Sequence, residues 1–306
     1  MPILRDLIFW LSTKKAFTNP IARTGMRLGF AKRFIAGETM EDGLRAAAEL
    51  NAAGRLVIMN RLGEFVSDRR EAEEVCASYC QMLQEISRRK VNGSISIKPT
   101  QLGLTFAPEF CRELTLRVVR QAGALSNFVE VDMESSETVD ATVELFEAVR
   151  RQHENIGLAV QSYLYRSEKD LLRLKALHPK IRLVKGAYRE PASVAYPKKR
   201  QVDENYVKLM RMLFGNGFWP AIATHDEKMI NLAKQIVREQ PGLDARWEFQ
   251  MIYGVGRPLQ EKLVREGYRL RIYVPYGTEW LPYFMRRLSE RPANMWFVAK
   301  SILTGG

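Results

Sequence analysis

Short apolar, β-prone runs recur along the chain, nearly all of them closing on a polar residue. They are RLVIMN (55–60), SISIK (94–98), FVEVD (128–132), GLAVQ (157–161), IRLVK (181–185), PAIATHD (220–226), WEFQM (247–251) and RLRIYV (269–274). Longer stretches with apolar residues at helical spacing lie between them, such as REAEEVCASYCQMLQEISRRK and ELTLRVVRQAGAL. Seven steps carry the pattern from Arg55 to Arg269, a mean period of about 31 residues, which is the length of one strand–helix unit. The pattern predicts an α/β fold, a (β/α)8 barrel. An open doubly wound sheet would place G-x-G-x-x-G after its first strand. The nearest match, GVGRPL at Gly254, follows the seventh run and lacks the third glycine.

In a closed barrel the C-terminal strand ends converge on one mouth, where active sites are built. The residues brought there are Asn60 and Arg61, Lys98, Asp132, Gln161, Lys185, His225 and Asp226, Gln250, and Tyr273. Charges also fall inside the runs, at Glu130, Arg182, Glu248 and Arg271. An inward Arg182 needs an anionic or carbonyl partner, whereas an outward one would lie among helices. The pattern leaves both open. With Lys98, Arg182, Lys185 and His225, and with Arg286 and Arg287 if the last helix reaches it, the mouth reads as cationic. It asks for an anionic cofactor, an anionic substrate, or both.

Composition narrows the chemistry. The chain has 306 residues, a net charge of +12, three cysteines and three histidines. Cys76, Cys80 and Cys111 make no metal spacing and no even disulfide framework, which favours a reducing compartment. No HExxH pair and no Ser-His-Asp order is present, so a catalytic metal and hydrolysis have little support. The basic residues are scattered without a nucleic-acid motif, and no nucleic-acid partner is expected. PILRDLIFWL is too short and too charged to span a bilayer; it reads as a helix packed on the protein, with a membrane-surface helix beside STKK as the alternative. A bound redox cofactor, oriented and charge-balanced by the protein, suits the mouth best.

One stretch near the end, YFMRRLSERPAN (283–294), places Tyr283 one helical turn below both Arg286 and Arg287. Such a group holds a carboxylate in two guanidinium forks under an aromatic face, or it forms an ordinary solvated surface with Glu290 bridging to Arg286.

Taken together, GEFVS, IRLVKGAYREP, ATHD, EFQMIYGVG and RIYVPYGTEWLPYFMRRLSERPAN resemble the bacterial monofunctional proline dehydrogenases from about Gly63 onward. The resemblance implies a distorted TIM barrel with FAD bound non-covalently and the last helix over the mouth, and a helical arm or cap over residues 1–54 before a barrel over 55–306. It implies oxidation of L-proline to 1-pyrroline-5-carboxylate, with electrons passed to a quinone. Arg286 and Arg287 would hold the proline carboxylate, assisted by Lys98, with Tyr273 and Tyr283 around the ring. Asp132 and Arg182 would be the catalytic residues, Arg182 also approaching the flavin. Met133, Gln161, Lys185, Gly186, Ala187, Thr224 and His225 would contact FAD, and Glu64 would form an ion-pair gate with Arg286. The pyrroline-5-carboxylate dehydrogenase would be a separate protein. The location expected is the cytoplasm, with the inner face of the cell membrane as the alternative.

Overall fold

A computed structural model describes residues 33–63, 65–240, 242 and 246–289, with the backbone alone for 287–289. Its eight parallel strands close on themselves in chain order. They are β1 (Leu56–Arg61), β2 (Gly93–Ile97), β3 (Val129–Val131), β4 (Ile156–Gln161), β5 (Lys180–Val184), β6 (Trp219–Ala223), β7 (Glu248–Ile252) and β8 (Leu270–Tyr276). Each predicted run holds one strand, with ends displaced by at most three residues. The seam between β1 and β8 pairs from Leu56 with Arg271 to Arg61 with Tyr276.

Alternation along the strands decides what lies inside. Ile95, Ile97, Val129, Val131, Ile181, Leu183, Phe249, Met251, Ile272 and Val274 are buried in the main apolar core. Their neighbours at i±1 are polar and buried too: Ser94 and Ser96, Glu130 and Asp132, Lys180 and Arg182, Glu248 and Gln250, and Arg271. A strand's side chains alternate between faces, so the apolar set meets the helices and the polar set fills the barrel.

The interior is therefore a network of charges. Lys180 Nζ lies 2.7 Å from Glu130 Oε1 and 2.8 Å from Glu248 Oε1. Arg271 Nε lies 2.7 Å from the same Glu248 oxygen, and Gln250 donates to both Glu130 and Glu248. Burial opposes ionisation of Glu248, but Arg271 and Lys180 hold its carboxyl well below the usual range. Removing one partner of such a group leaves the others buried and uncompensated. Glu248→Ala is expected to cost about 3–5 kcal/mol in urea unfolding. A loss below about 1 kcal/mol, the scale of an exposed pair, would show the network to be slack.

The helices are α1 (Met40–Ala52), α2 (Arg69–Arg88), α3 (Pro108–Ala124), α4 (Val139–Arg150), α5 (Ser167–Leu174), α6 (Lys199–Gly215), α7 (Glu227–Glu239), α8 (Arg257–Arg265) and α9 (Trp280–Ser289). On α2, Asp68 caps the N-terminus by accepting from the Glu71 N–H at 2.9 Å. That helix buries Ala72, Val75, Cys76, Tyr79, Met82, Leu83 and Ile86, the stripe expected of one face against a sheet.

Two helices depart from a regular barrel. Trp280, Leu281, Tyr283 and Phe284 of α9 form a second apolar cluster with Phe34, Ile35 and Leu62, against which Ile252, Val255 and Tyr273 pack. Leu62, Ile252 and Val255 lie at or beyond C-terminal strand ends, so α9 sits on the mouth and not on the outer wall. The outer groove it leaves between β8 and β1 is covered by α1, from before the first strand. Gly43 permits that close approach: a Cβ there would meet Met59 Cε at 2.7 Å and the Tyr276 ring at 3.0 Å. The helix expected over PILRDLIFWL, and most of the expected arm over 1–54, lie outside the described residues.

Candidate active site

Asp132, immediately after β3, is the hub of the mouth. Its Oδ1 accepts from Arg182 Nη2 at 2.5 Å and from Ser96 Oγ at 2.6 Å. Its Oδ2 accepts from the Tyr273 hydroxyl at 2.7 Å and lies 3.3 Å from Lys98 Nζ. Burial would raise this carboxyl, but Lys98 and Arg182, with hydrogen bonds from Ser96 and Tyr273, hold it below the ordinary carboxylate range. Lys98 is likewise desolvated, yet Tyr188, Asp132, Tyr273 and Glu134 keep its ammonium charged to well above its ordinary pKa. Burial and the Asp132 charge push the Tyr273 hydroxyl well up, so it remains a donor.

Of the two orientations left open for Arg182, the inward one is found. Besides Asp132 it reaches Glu130 Oε2 at 3.3 Å and Ser96 Oγ at 3.1 Å, and its guanidinium lies 5.4 Å from the Tyr273 ring centroid. Its register partners on β4 and β6 are Ala159 and Ala221, small enough to leave the guanidinium lateral room. Asp132 does not cap the helical segment that follows it. That segment begins at Ser136, whose N–H and hydroxyl are both taken by Glu190 from another loop.

The expected contribution of Lys185 to a cationic mouth is corrected. Its ammonium lies between Asp203 Oδ1 at 2.5 Å and Asp226 Oδ2 at 2.8 Å, so its charge is neutralised beside α6 and α7. Lys98 and Arg182 remain as the cations around Asp132, Arg182 being shared with Glu130. Arg286 stands 5.3 Å from the Tyr188 ring on the loop after β5, across the barrel from the α9 base. Tyr283 is buried in the α9 cluster. The Arg287 side chain and Glu64 lie outside the described residues.

The remaining predicted positions line the other strand ends. Gln161 closes β4 and donates to Met133 O and Glu134 O at 3.3 and 3.1 Å, while its Oε1 is buried with no hydrogen-bond partner among the described residues. His225 Nε2 accepts from the Ile252 N–H at 3.1 Å, which leaves the proton of a neutral ring on Nδ1. Thr224 is buried, and its hydroxyl accepts from the Asp226 N–H. Gly186, followed by Ala187, has φ +122°, and a Cβ there would strike the Tyr163 ring at 2.4 Å. The Tyr163 ring packed against Gly186 therefore excludes any side chain there. Ser96 and Tyr188 belong to the site and were missed by sequence reasoning. The SIS alternation of β2, in step with Lys98, was the available signal for Ser96.

Among the described residues no group of His, Cys, Asp and Glu is placed to hold a metal, and no helix is long and apolar enough to cross a membrane.

The family model that matches is that of proline dehydrogenase, over residues 43–300. The chain is 38% identical over 301 residues to proline dehydrogenase 1 of Bacillus subtilis strain 168, covering 98% of this chain and 99% of that one. It is 39% identical over 282 residues to the proline dehydrogenase of Deinococcus radiodurans, covering 90% of each. In fold it is similar to the crystal structure of proline utilization A from Bdellovibrio bacteriovorus inactivated by N-propargylglycine, with a TM-score of 0.80 and 23% identity. That match covers 85% of this chain and 32% of the longer one. A closed eight-stranded barrel, its last described helix turned onto the mouth, and matches that run nearly end to end lead to one assignment. The chain belongs to the proline dehydrogenase family.

Proposed function

We propose that this barrel oxidises L-proline to 1-pyrroline-5-carboxylate with FAD as cofactor, the electrons passing on to a quinone. Proline oxidation is the first step of proline breakdown, and the family assignment supports it directly. The observation that carries the site assignment is the buried Asp132 cluster, with Lys98, Arg182 and Tyr273 converging on one carboxylate. In this reading the eight-stranded barrel is the catalytic unit. A separate enzyme takes the product onward, and the chain works in the cytoplasm or at the inner face of the membrane.

The residues present suit a flavin. The buried Gln161 Oε1, without a hydrogen-bond donor among the described residues, is an acceptor that a ring N–H would satisfy. Arg182 and Lys98 provide fixed positive charge in the same mouth, suited to the negative charge a flavin ring gains on reduction. Gln161, Met133, Thr224, His225 and the Lys185–Ala187 turn would hold the cofactor, which when bound supplies the acceptor for a hydride.

Oxidation removes hydride from C5 of proline as the nitrogen lone pair forms the C=N bond. The amine must therefore reach that point without its extra proton. The protein's part is placement. Arg286 and Arg287, with Lys98, would clamp the carboxylate, and Tyr273 and Tyr283 would wall the ring so that C5 points at the acceptor. Asp132 keeps Lys98, Arg182 and the Tyr273 hydroxyl from drifting before substrate arrives. Glu64 would close over the bound substrate through Arg286.

The direct test is spectroscopic. The purified protein should be yellow, and anaerobic L-proline should bleach the flavin band without NAD. A colourless protein that FAD does not reconstitute would overturn the cofactor assignment. A yellow protein bleached by NADH and not by proline would overturn the substrate.

A further inference from the structure

The loop after β5, from Lys185 to Glu190, is held down at its far end by a clasp. The Glu190 carboxylate accepts from the Ser136 N–H at 2.8 Å, from the Ser136 hydroxyl, and from the Tyr163 hydroxyl at 3.4 Å. Ser136 begins the short 3-10 turn Ser136–Thr138 that leads into α4. Neither Ser135 nor Thr138 provides a side-chain cap at those two starts, so Glu190 supplies the acceptor for the Ser136 N–H from the loop after β5.

Tyr163 is the template beneath the loop. Its ring fills the space where a Gly186 Cβ would lie, and its hydroxyl donates to Glu190. Its own backbone N–H donates to Lys185 O at 2.9 Å. The ring of Tyr188, between the two anchors, stands 5.3 Å from the Arg286 guanidinium. Arg286 and Lys98 are the groups assigned above to the substrate carboxylate.

We infer that Glu190 is a positioning residue: clasped to Ser136 and Tyr163, it sets the height of Tyr188 over the substrate pocket and so the affinity for the carboxylate ligand. This rests on the functional reading given above. Glu190 makes no contact with the Asp132 cluster. It acts through the loop, by removing the freedom that Tyr188 would otherwise have to leave Arg286.

The ligand for the test is tetrahydrofuran-2-carboxylate, which has the ring and carboxylate of proline but an oxygen in place of the oxidisable amine. Its binding is measured by titration calorimetry on the flavin-loaded protein. Glu190→Ala should weaken binding roughly tenfold, the scale of a lost charge-assisted hydrogen bond, with flavin content unchanged. Glu190→Gln keeps one acceptor oxygen for Ser136 and should recover most of the affinity. Ser136→Ala, on the opposite side of the clasp, removes the hydroxyl and keeps the backbone N–H, and should shift binding in the same direction by less.

The deciding measurement is the double variant. In a Tyr188→Ala background, Glu190→Ala should have no further effect, because the residue it positions is gone. Wild-type affinity in Glu190→Ala, or a loss that adds in full to that of Tyr188→Ala, would overturn the inference while leaving proline oxidation intact. A wild-type protein that neither oxidises proline nor binds the analogue would overturn the functional reading, and the positioning role with it.

Discussion

Asp132→Ala should lower kcat/KM for proline by about three orders of magnitude, the largest effect expected of any single substitution in the mouth. The carboxylate joins Lys98, Arg182, Ser96 and Tyr273, so its loss frees several groups at once. It also leaves two buried cations with less compensation, at a cost of about 3–5 kcal/mol in unfolding experiments. Asp132→Asn separates charge from shape, since it keeps an acceptor and loses the anion. Here pH gives the sign. The folded carboxyl titrates below its unfolded value of about 3.9, so the stability it contributes is complete above that value and is lost as pH falls through the folded one. The stability gap between wild type and Asp132→Asn should be constant from neutral pH to about 5 and close progressively in stronger acid. A gap that instead opened in acid, or an Asp132→Ala variant with near wild-type turnover, would remove Asp132 from the centre of the site.

Arg286→Met should raise KM for proline by roughly two orders of magnitude or more while leaving flavin affinity nearly unchanged. Withdrawing one fork from a bound carboxylate costs on the order of 2–5 kcal/mol, much of it the penalty of leaving the anion under-paired. Methionine keeps most of the volume and the apolar stem, so the packing of α9 through Trp280 and Phe284 should survive. Steady-state kinetics with a flavin absorbance titration decide the matter. An unchanged KM would return the arginine to a solvated helix face, the other reading that its sequence allowed.

How much of this was legible beforehand differs by level. The eight strands were, because each combines β-prone residues with a bounding turn and the period matches one strand–helix unit. Which side of each strand faces inward was not. Both faces of a barrel strand are covered, so VEVD and IRLV alternate without showing which set meets the helices. The orientation of Arg182 appears only once Glu130, Asp132 and Ser96 are brought beside it from other strands. Lys185 failed as a source of positive charge for a related reason. Its partners, Asp203 and Asp226, belong to later helices whose approach no local pattern announces. The carboxylate role proposed for the paired arginines came from the resemblance and not from helical spacing, which suits a wet surface equally well.

The exchange of helices at the seam has a consequence for how the chain is made. The segment sealing the groove between β8 and β1 is α1, with Gly43 set against Tyr276 from near the other end of the described chain. During synthesis α1 emerges early, and half of its eventual surface does not yet exist. It can dock fully only after β8 has been released and paired with β1, so barrel closure and burial of α1 fall together at the end. Contacts so distant in sequence form slowly, and an apolar helix face that waits for them is exposed to association with other chains. The length of that wait is set by the ribosome, since every residue between the two contacts must be translated before the seam can close.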